Sequence, residues 1–292
     1  MTDSNLRQDL SRPDLVWTYE DVARRAEEVR TVLQERGVRI HRDSALSVTL
    51  RQAQRLADGW KDASGDPVAG IKMLIGGSDA NRVADAVLAV RDDADALDCL
   101  KRMAGNPVDL SSRSPSQGKD ALWELELLAL LRRRGATARL WDPPDIIANI
   151  GFGDYAIACK KVYSEKGVEA HVRKGARQVA ASGMDGIVAI NIDDLAPAQS
   201  IIEARTRQQA SDRMASFIAA FIDSHRMHIQ RFVKDGRCDA IFVSVTVPVD
   251  VELSRPRFSS LVQMTVWTLD ETSDATRERL RSMRSFFGEL LG

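Results

Sequence analysis

A chain of 292 residues with 41 Lys and Arg against 42 Asp and Glu is nearly neutral, which excludes a uniformly basic nucleic-acid coat but not a local basic patch. Hydrophobic residues at 44% and charged residues at 28% are enough for a sizeable core and exclude wholesale disorder. Cys99, Cys159 and Cys238 have no CxxC or zinc spacing, the opening MTDSNLRQDL has no apolar core, and no apolar run reaches the ~18 residues of a membrane span, so a reducing cytoplasmic location is expected.

Residues 1–105 read as a mostly helical N-terminal domain. Thr18 followed by Glu20 and Asp21 predicts a helix start, because early acids suit the positive helix end. Val22, Val29, Val32 and Leu33 recur at helical spacing until Gly37. A second helix is predicted over 44–60, a short strand over 71–75, a turn at Gly76-Gly77-Ser78-Asp79 and a long helix over 80–103. The Ser- and Pro-rich stretch 106–117 predicts a linker.

Residues 118–292 read as an α/β domain. A helix is predicted over 119–134, closed by Gly135, then strands over 136–141, 145–150 and 155–161. The last two are joined by the hairpin signal Gly151-Phe152-Gly153-Asp154. A helix over 168–182 and the apolar strand 186–192 complete an α-β-β-β-α-β order with a mixed central sheet. A long helix over 196–234 follows, then strands over 239–247 and 261–269 that extend the sheet, and a last amphipathic helix over 274–291.

The chemistry-bearing residues sit on this central order. Asp145 opens the second strand after two prolines, and Lys160 ends its neighbour. Antiparallel pairing lets them meet despite 15 positions of separation. Alternation puts Asp154, Ala156, Ala158 and Lys160 on one side and Tyr155, Ile157, Cys159 and Lys161 on the other. Glu124 and Glu126 lie on the preceding helix, where Glu124 shares a face with Leu128 and Leu131; an acid buried there wants a partner or a metal. A hard divalent cation that cleaves a phosphodiester needs such converging carboxylates, with a cation to steady the developing charge. Each residue also has an ordinary explanation: Asp145 as a turn residue, Lys160 and Lys161 as a solvated strand end, Glu124 as an exposed helical acid.

Over residues 118–192 the pattern resembles the PD-(D/E)XK superfamily of restriction-endonuclease-like nucleases, whose common core has the order α-β-β-β-α-β. Glu124, with Glu126 as competitor, matches the helical acid, Asp145 in PPDII the Pro-Asp acid, Lys160 the lysine, and Gln178 the Gln on the following helix. The resemblance implies a metal-dependent nuclease hydrolysing DNA, with Glu124 and Asp145 binding Mg²⁺ or Mn²⁺. Lys160 would orient the attacking water and Gln178 support the site, in a setting of restriction, repair or defence against foreign DNA. Lys161, Arg173, Lys174 and Arg177 are the expected nucleic-acid contacts, in a stretch 118–178 that holds 11 basic and 8 acidic residues. A protein reached through the helical region and a second copy of the chain are further expected partners.

One position departs from the pattern: the acid two residues before the lysine is Ala158. Either another acid has taken its place in space (Asp142, Asp154, Glu165 or Glu169), or the site works with fewer ligands, or the domain is an inactive nuclease fold that binds nucleic acid or serves assembly. His225 and His228, three apart with no acid following at a useful distance, read as structural or surface residues rather than zinc ligands. His41-Arg42-Asp43 and Ser116-Gln117-Gly118-Lys119 lack the partners that kinase and P-loop sites need. The Gly76-Gly77 turn beside Ser78 is a weaker anion-site candidate.

Overall fold

The computed structural model describes residues 5–7, 18–63, 67–197, 201–254 and 258–288. The chain forms two compact units, Leu10–Ala129 and Met1–Asp9 with Leu130–Gly292.

The first unit is helical. The Thr18 hydroxyl accepts from the Asp21 N–H at 3.1 Å, and the Asp21 carboxylate accepts from the Thr18 N–H at 3.2 Å. This capping box starts α1 (Tyr19–Glu35), which buries Val22, Val29, Val32 and Leu33. The Thr18 N–H and the Thr18 hydroxyl, both donating to the Asp21 carboxylate, hold it below its usual range. Two expectations are corrected in the next segment. The strand over 71–75 and the turn at Gly76-Gly77 both lie inside one helix, α3 (Pro67–Leu88), packed on α2 (Ala45–Ala63). A Cβ on Gly77 would meet Leu56 Cδ2 at 2.2 Å, so this glycine serves close helix packing rather than chain reversal. The helix expected over 80–103 is in fact the end of α3 and, after a short 3₁₀ turn, α4 (Leu97–Gly105).

The stretch 106–117 belongs to this same unit. Val108 is fully buried, Ser116 Oγ donates to the Pro107 carbonyl, and Lys119 Nζ donates to the Ser112 carbonyl at 2.6 Å. The division between units instead falls after Ala129, within α5 (Gln117–Arg133).

The second unit is mixed α/β. Its strands are β1 (Asn5–Arg7), β2 (Thr137–Trp141), β3 (Asp145–Asn149), β4 (Asp154–Lys161), β5 (Gly186–Asn191), β6 (Ile202–Ala204), β7 (Ala240–Val251) and β8 (Phe258–Trp267). They form one sheet in the order β1-β8-β7-β5-β4-β3-β2, with β6 paired to the far end of β7. β2, β3 and β4 are an antiparallel meander; β4, β5 and β7 run parallel; β7, β8 and β1 alternate again. The β3–β4 turn forms where Gly151 and Gly153 supply φ of +109° and +107°. Among the described residues, the α-helices α6 (Val168–Ser182), α7 (Arg207–Lys234) and α8 (Asp274–Gly288) lie wholly in this unit. The helix expected from 196 starts only at Arg207, where the Thr206 hydroxyl accepts from the Gln209 N–H at 3.2 Å; β6 occupies part of the stretch before it.

Register fixes which side chains share a face. Trp141 pairs with Asp145, Ile147 with Ala156, and Ala158 with Val188. The face holding Trp141, Asp145, Ala158, Lys160 and Val188 is the one on which α6 packs, since a Cβ on Gly175 would come within 2.6 Å of Val188 Cγ1.

Candidate functional site

Asp145 and Lys160 meet where the β3–β4 ladder ends. Asp145 Oδ2 accepts from Lys160 Nζ at 2.8 Å and from the Cys159 N–H at 2.7 Å. Lys160 Nζ also donates to the Cys159 carbonyl at 2.6 Å, and Lys160 is only 8% exposed. The pair is nearly desolvated, so the ammonium is held by its acid and a carbonyl rather than by water. Asp145 has φ +142°, the sole positive φ outside glycine among the described residues. Such backbone is uncommon for an L residue and is kept only where its surroundings impose it.

The position across from Asp145, one step past the Ile146–Ile157 pair, is Ala158, which offers only a methyl group. Three of the four acids considered as replacements are engaged by other partners. Asp154 pairs with Arg139 at 3.2 Å, and Glu165 faces His225. Glu169 is held by Arg231 and His228, and Asp142 is exposed. Glu124 is buried as its helical face requires, but its partner is Arg102 of the helical unit, whose guanidinium donates to both carboxylate oxygens at 3.0 and 2.6 Å. The Cys99 thiol donates to the same carboxylate at 3.3 Å. Burial opposes the Arg102 charge, yet its hydrogen bonds and proximity to Glu124 raise its pKa above the ordinary value. Glu126, the competing choice, forms a bidentate pair with Arg82 at 2.7 and 3.1 Å.

These placements bear directly on a divalent metal. Among the described residues no three His, Cys, Asp or Glu side chains are grouped to hold one. Asp145 is engaged by Lys160, and the helical acid is neutralised by arginine. The side chains present therefore do not fit a hard-cation centre, which needs several oxygen ligands turned toward one point.

What does lie beside Asp145 is a basic cleft of about 470 Å³ lined by Pro143, Ala170, Arg173, Lys174, Arg177, Gln178 and Ala181. Pro143 belongs to the β2–β3 turn and the rest to α6. The three cations are exposed, and none of the lining residues is acidic. Among the described residues neither Lys174 nor Arg177 has an ion-pair partner, whereas Arg173 reaches Glu169 at 4.0 Å. Gln178 borders this cleft; its Oε1 is buried with no hydrogen-bond partner among the described residues.

Lys161, expected among the nucleic-acid contacts, lies on the opposite face of β4 and is 4% exposed. Its ammonium contacts Asp194 at 2.8 Å and Asn191 Oδ1 at 2.5 Å. Asp193 Oδ1 accepts from the Asn191 amide at 2.9 Å and the Thr246 N–H at 2.7 Å, which closes this network at the ends of parallel strands. Lys161 is thus a buried structural cation; period-two alternation separates it from Lys160, but the acids that capture it, Asp193 and Asp194, lie 32 and 33 residues downstream and leave no local signal.

His225 and His228 pair with acids, Glu165 and Glu169, that precede them by some 60 residues and come from the segment at the start of α6. A last cluster escaped the sequence reading. Asp239 accepts from Tyr155 Oη at 2.9 Å, Thr276 Oγ1 at 3.0 Å, and Arg279 Nε and Nη2 at 2.7 and 3.0 Å. An aspartate opening an apolar strand, in Cys238-Asp239-Ala240, was the available sign.

No described helix is long and apolar enough to cross a membrane. Compared with protein-family models, curated proteins and solved structures, the chain matches none.

Proposed function

We propose that the α/β unit is a restriction-endonuclease-like core that binds nucleic acid, DNA before RNA, through the α6 cleft without a catalytic metal. One observation carries the reading: Arg173, Lys174 and Arg177 converge on a cleft with no lining carboxylate, beside an aspartate already neutralised by Lys160. Like charges around a concave surface with no lining carboxylate favour a polyanion, and phosphates are the natural occupants. The core itself is suggested by the order α5-β2-β3-β4-α6-β5 and by the contact between Asp145 and Lys160. That contact also favours a second reading, a metal-dependent deoxyribonuclease using Mg²⁺ or Mn²⁺, against which Ala158 and the Arg102–Glu124 pair argue.

One set of measurements separates the two. A labelled oligonucleotide should bind the full chain equally with EDTA or Mg²⁺. Replacing Arg173, Lys174 and Arg177 together by Ala should reduce the salt dependence of log K by about 2–3. Binding that ignores the triple replacement rejects the cleft. Plasmid nicking that needs Mg²⁺ or Mn²⁺ and vanishes in both Asp145→Ala and Lys160→Ala puts the nuclease reading first.

A further inference from the structure

We propose that Trp141 is a stacking platform for an unpaired base, so that the cleft takes a single strand or a strand end rather than the body of a duplex. The proposal rests on the nucleic-acid reading above and names its substrate class. β2 is the margin of the sheet, and its residues alternate: Ala138 and Leu140 are buried, while Thr137, Arg139 and Trp141 are exposed. Most large apolar side chains of this unit are buried, yet Trp141 is 53% exposed. An indole left wet at that extent forgoes the burial that aromatic side chains ordinarily obtain on folding.

Its surroundings favour a base as the occupant. The Arg139 guanidinium lies 5.6 Å from the indole centroid and is itself held by Asp154 at 3.2 Å, which steadies the ring at the strand end. Two residues on, Pro143 forms a wall of the basic cleft. Register places Trp141 beside Asp145 on the sheet face that carries α6. A flat aromatic surface next to a row of cations is the combination that holds single strands: phosphates follow the charges, and a base covers the ring. Inside a duplex both faces of each base are already stacked, so a lone exposed indole finds a partner only where stacking is interrupted. An acidic peptide would satisfy the cations but has no use for the indole.

The test uses the full chain in EDTA and fluorescence anisotropy with three probes of equal length: a single-stranded oligonucleotide, a blunt duplex, and an abasic strand with the same phosphates. The single strand should bind more tightly than the duplex. Trp141→Ala should weaken single-strand binding by about 5- to 150-fold, the range of one base–aromatic stack, and leave abasic binding within about twofold. Trp141→Phe should recover part of the loss. Thermal unfolding should be nearly unchanged in both variants, since the side chain is exposed. Equal binding of wild type and Trp141→Ala overturns the platform, as does an equal loss on the abasic strand or displacement by polyglutamate that depends on Trp141. If the triple replacement on α6 abolishes binding while Trp141→Ala does not, the platform falls and the nucleic-acid reading stands; if no probe binds, both fall.

Discussion

Asp239 and Asp145 are both aspartates at the start of strands in the α/β unit, and both engage a cation, yet they sit in opposite circumstances. Asp239 receives four hydrogen bonds from three side chains, tying β4 and β7 to α8, and its cation Arg279 reaches a second acid, Asp185, at 3.1 Å. Asp145 Oδ2 accepts from Lys160 and from the Cys159 N–H, in a backbone conformation that L residues rarely adopt, beside a basic cleft. The first arrangement is closed by donors and serves cohesion. The second keeps a strained acid next to exposed positive charge, the circumstance in which structure is spent on a ligand.

The sharpest way to break this contrast is Asp239→Ala. It removes the acceptor shared by Arg279, Tyr155 Oη and Thr276 Oγ1, leaving Arg279 only Asp185 as an acid partner among the described residues, and urea unfolding should record a loss of about 3–5 kcal/mol. A loss below about 1 kcal/mol would mean that the cluster is no more than a satisfied surface group. Asp145→Ala should cost less, about 1.5–3 kcal/mol in the same measurement, because Lys160 keeps the Cys159 carbonyl as a partner. If the two losses are equal, the distinction between a cohesive and a functional aspartate disappears.

The smallest expected effect is Tyr155→Phe, about 0.5–1.5 kcal/mol at neutral pH from one buried hydrogen bond. This variant also tests the alkaline limit. Burial, and then Asp239, holds the Tyr155 phenol well above its ordinary 10.0, and burial pushes the neighbouring Cys238 thiol from 9.0 up to about 12. A pKa raised in the folded state gives stability that is complete below the unfolded value and is lost as pH rises toward the folded value. Stability should therefore fall from about pH 9 upward, first through Cys238 and then through Tyr155. Tyr155→Phe should flatten the fall above about pH 10; an unchanged slope would remove Tyr155 as its source.

The succession from α5 to β5 was legible because the chain punctuates it: Gly135, Gly151, Gly153 and Gly183 all adopt positive φ at element ends. The meeting of Asp145 with Lys160 was legible for the same reason, since the hairpin fixes the pairing. Glycines inside an element misled, as at Gly76-Gly77, because close helix packing and chain reversal ask for the same residue. The partners of charged residues were not legible. Arg102 lies 22 positions before Glu124, and Asp194 lies 33 after Lys161, so only the tertiary fold decides that these charges are spent internally. Trp141 was passed over because an aromatic in a strand is ordinarily core, and its exposure follows from the place of β2 at the sheet margin.

The adjacent lysines that end β4 have one more consequence. Consecutive side chains of a strand leave in opposite directions, and here each ammonium finds its own acid, Asp145 on one side and Asp194 on the other. Sliding β4 by a single residue against β3 and β5 would send every side chain to the wrong layer and strand both ammonium groups among aliphatic neighbours. The doublet thus acts as a two-pin key: misaligned strand pairings are rejected on both layers at once, and only one alignment lets the sheet close.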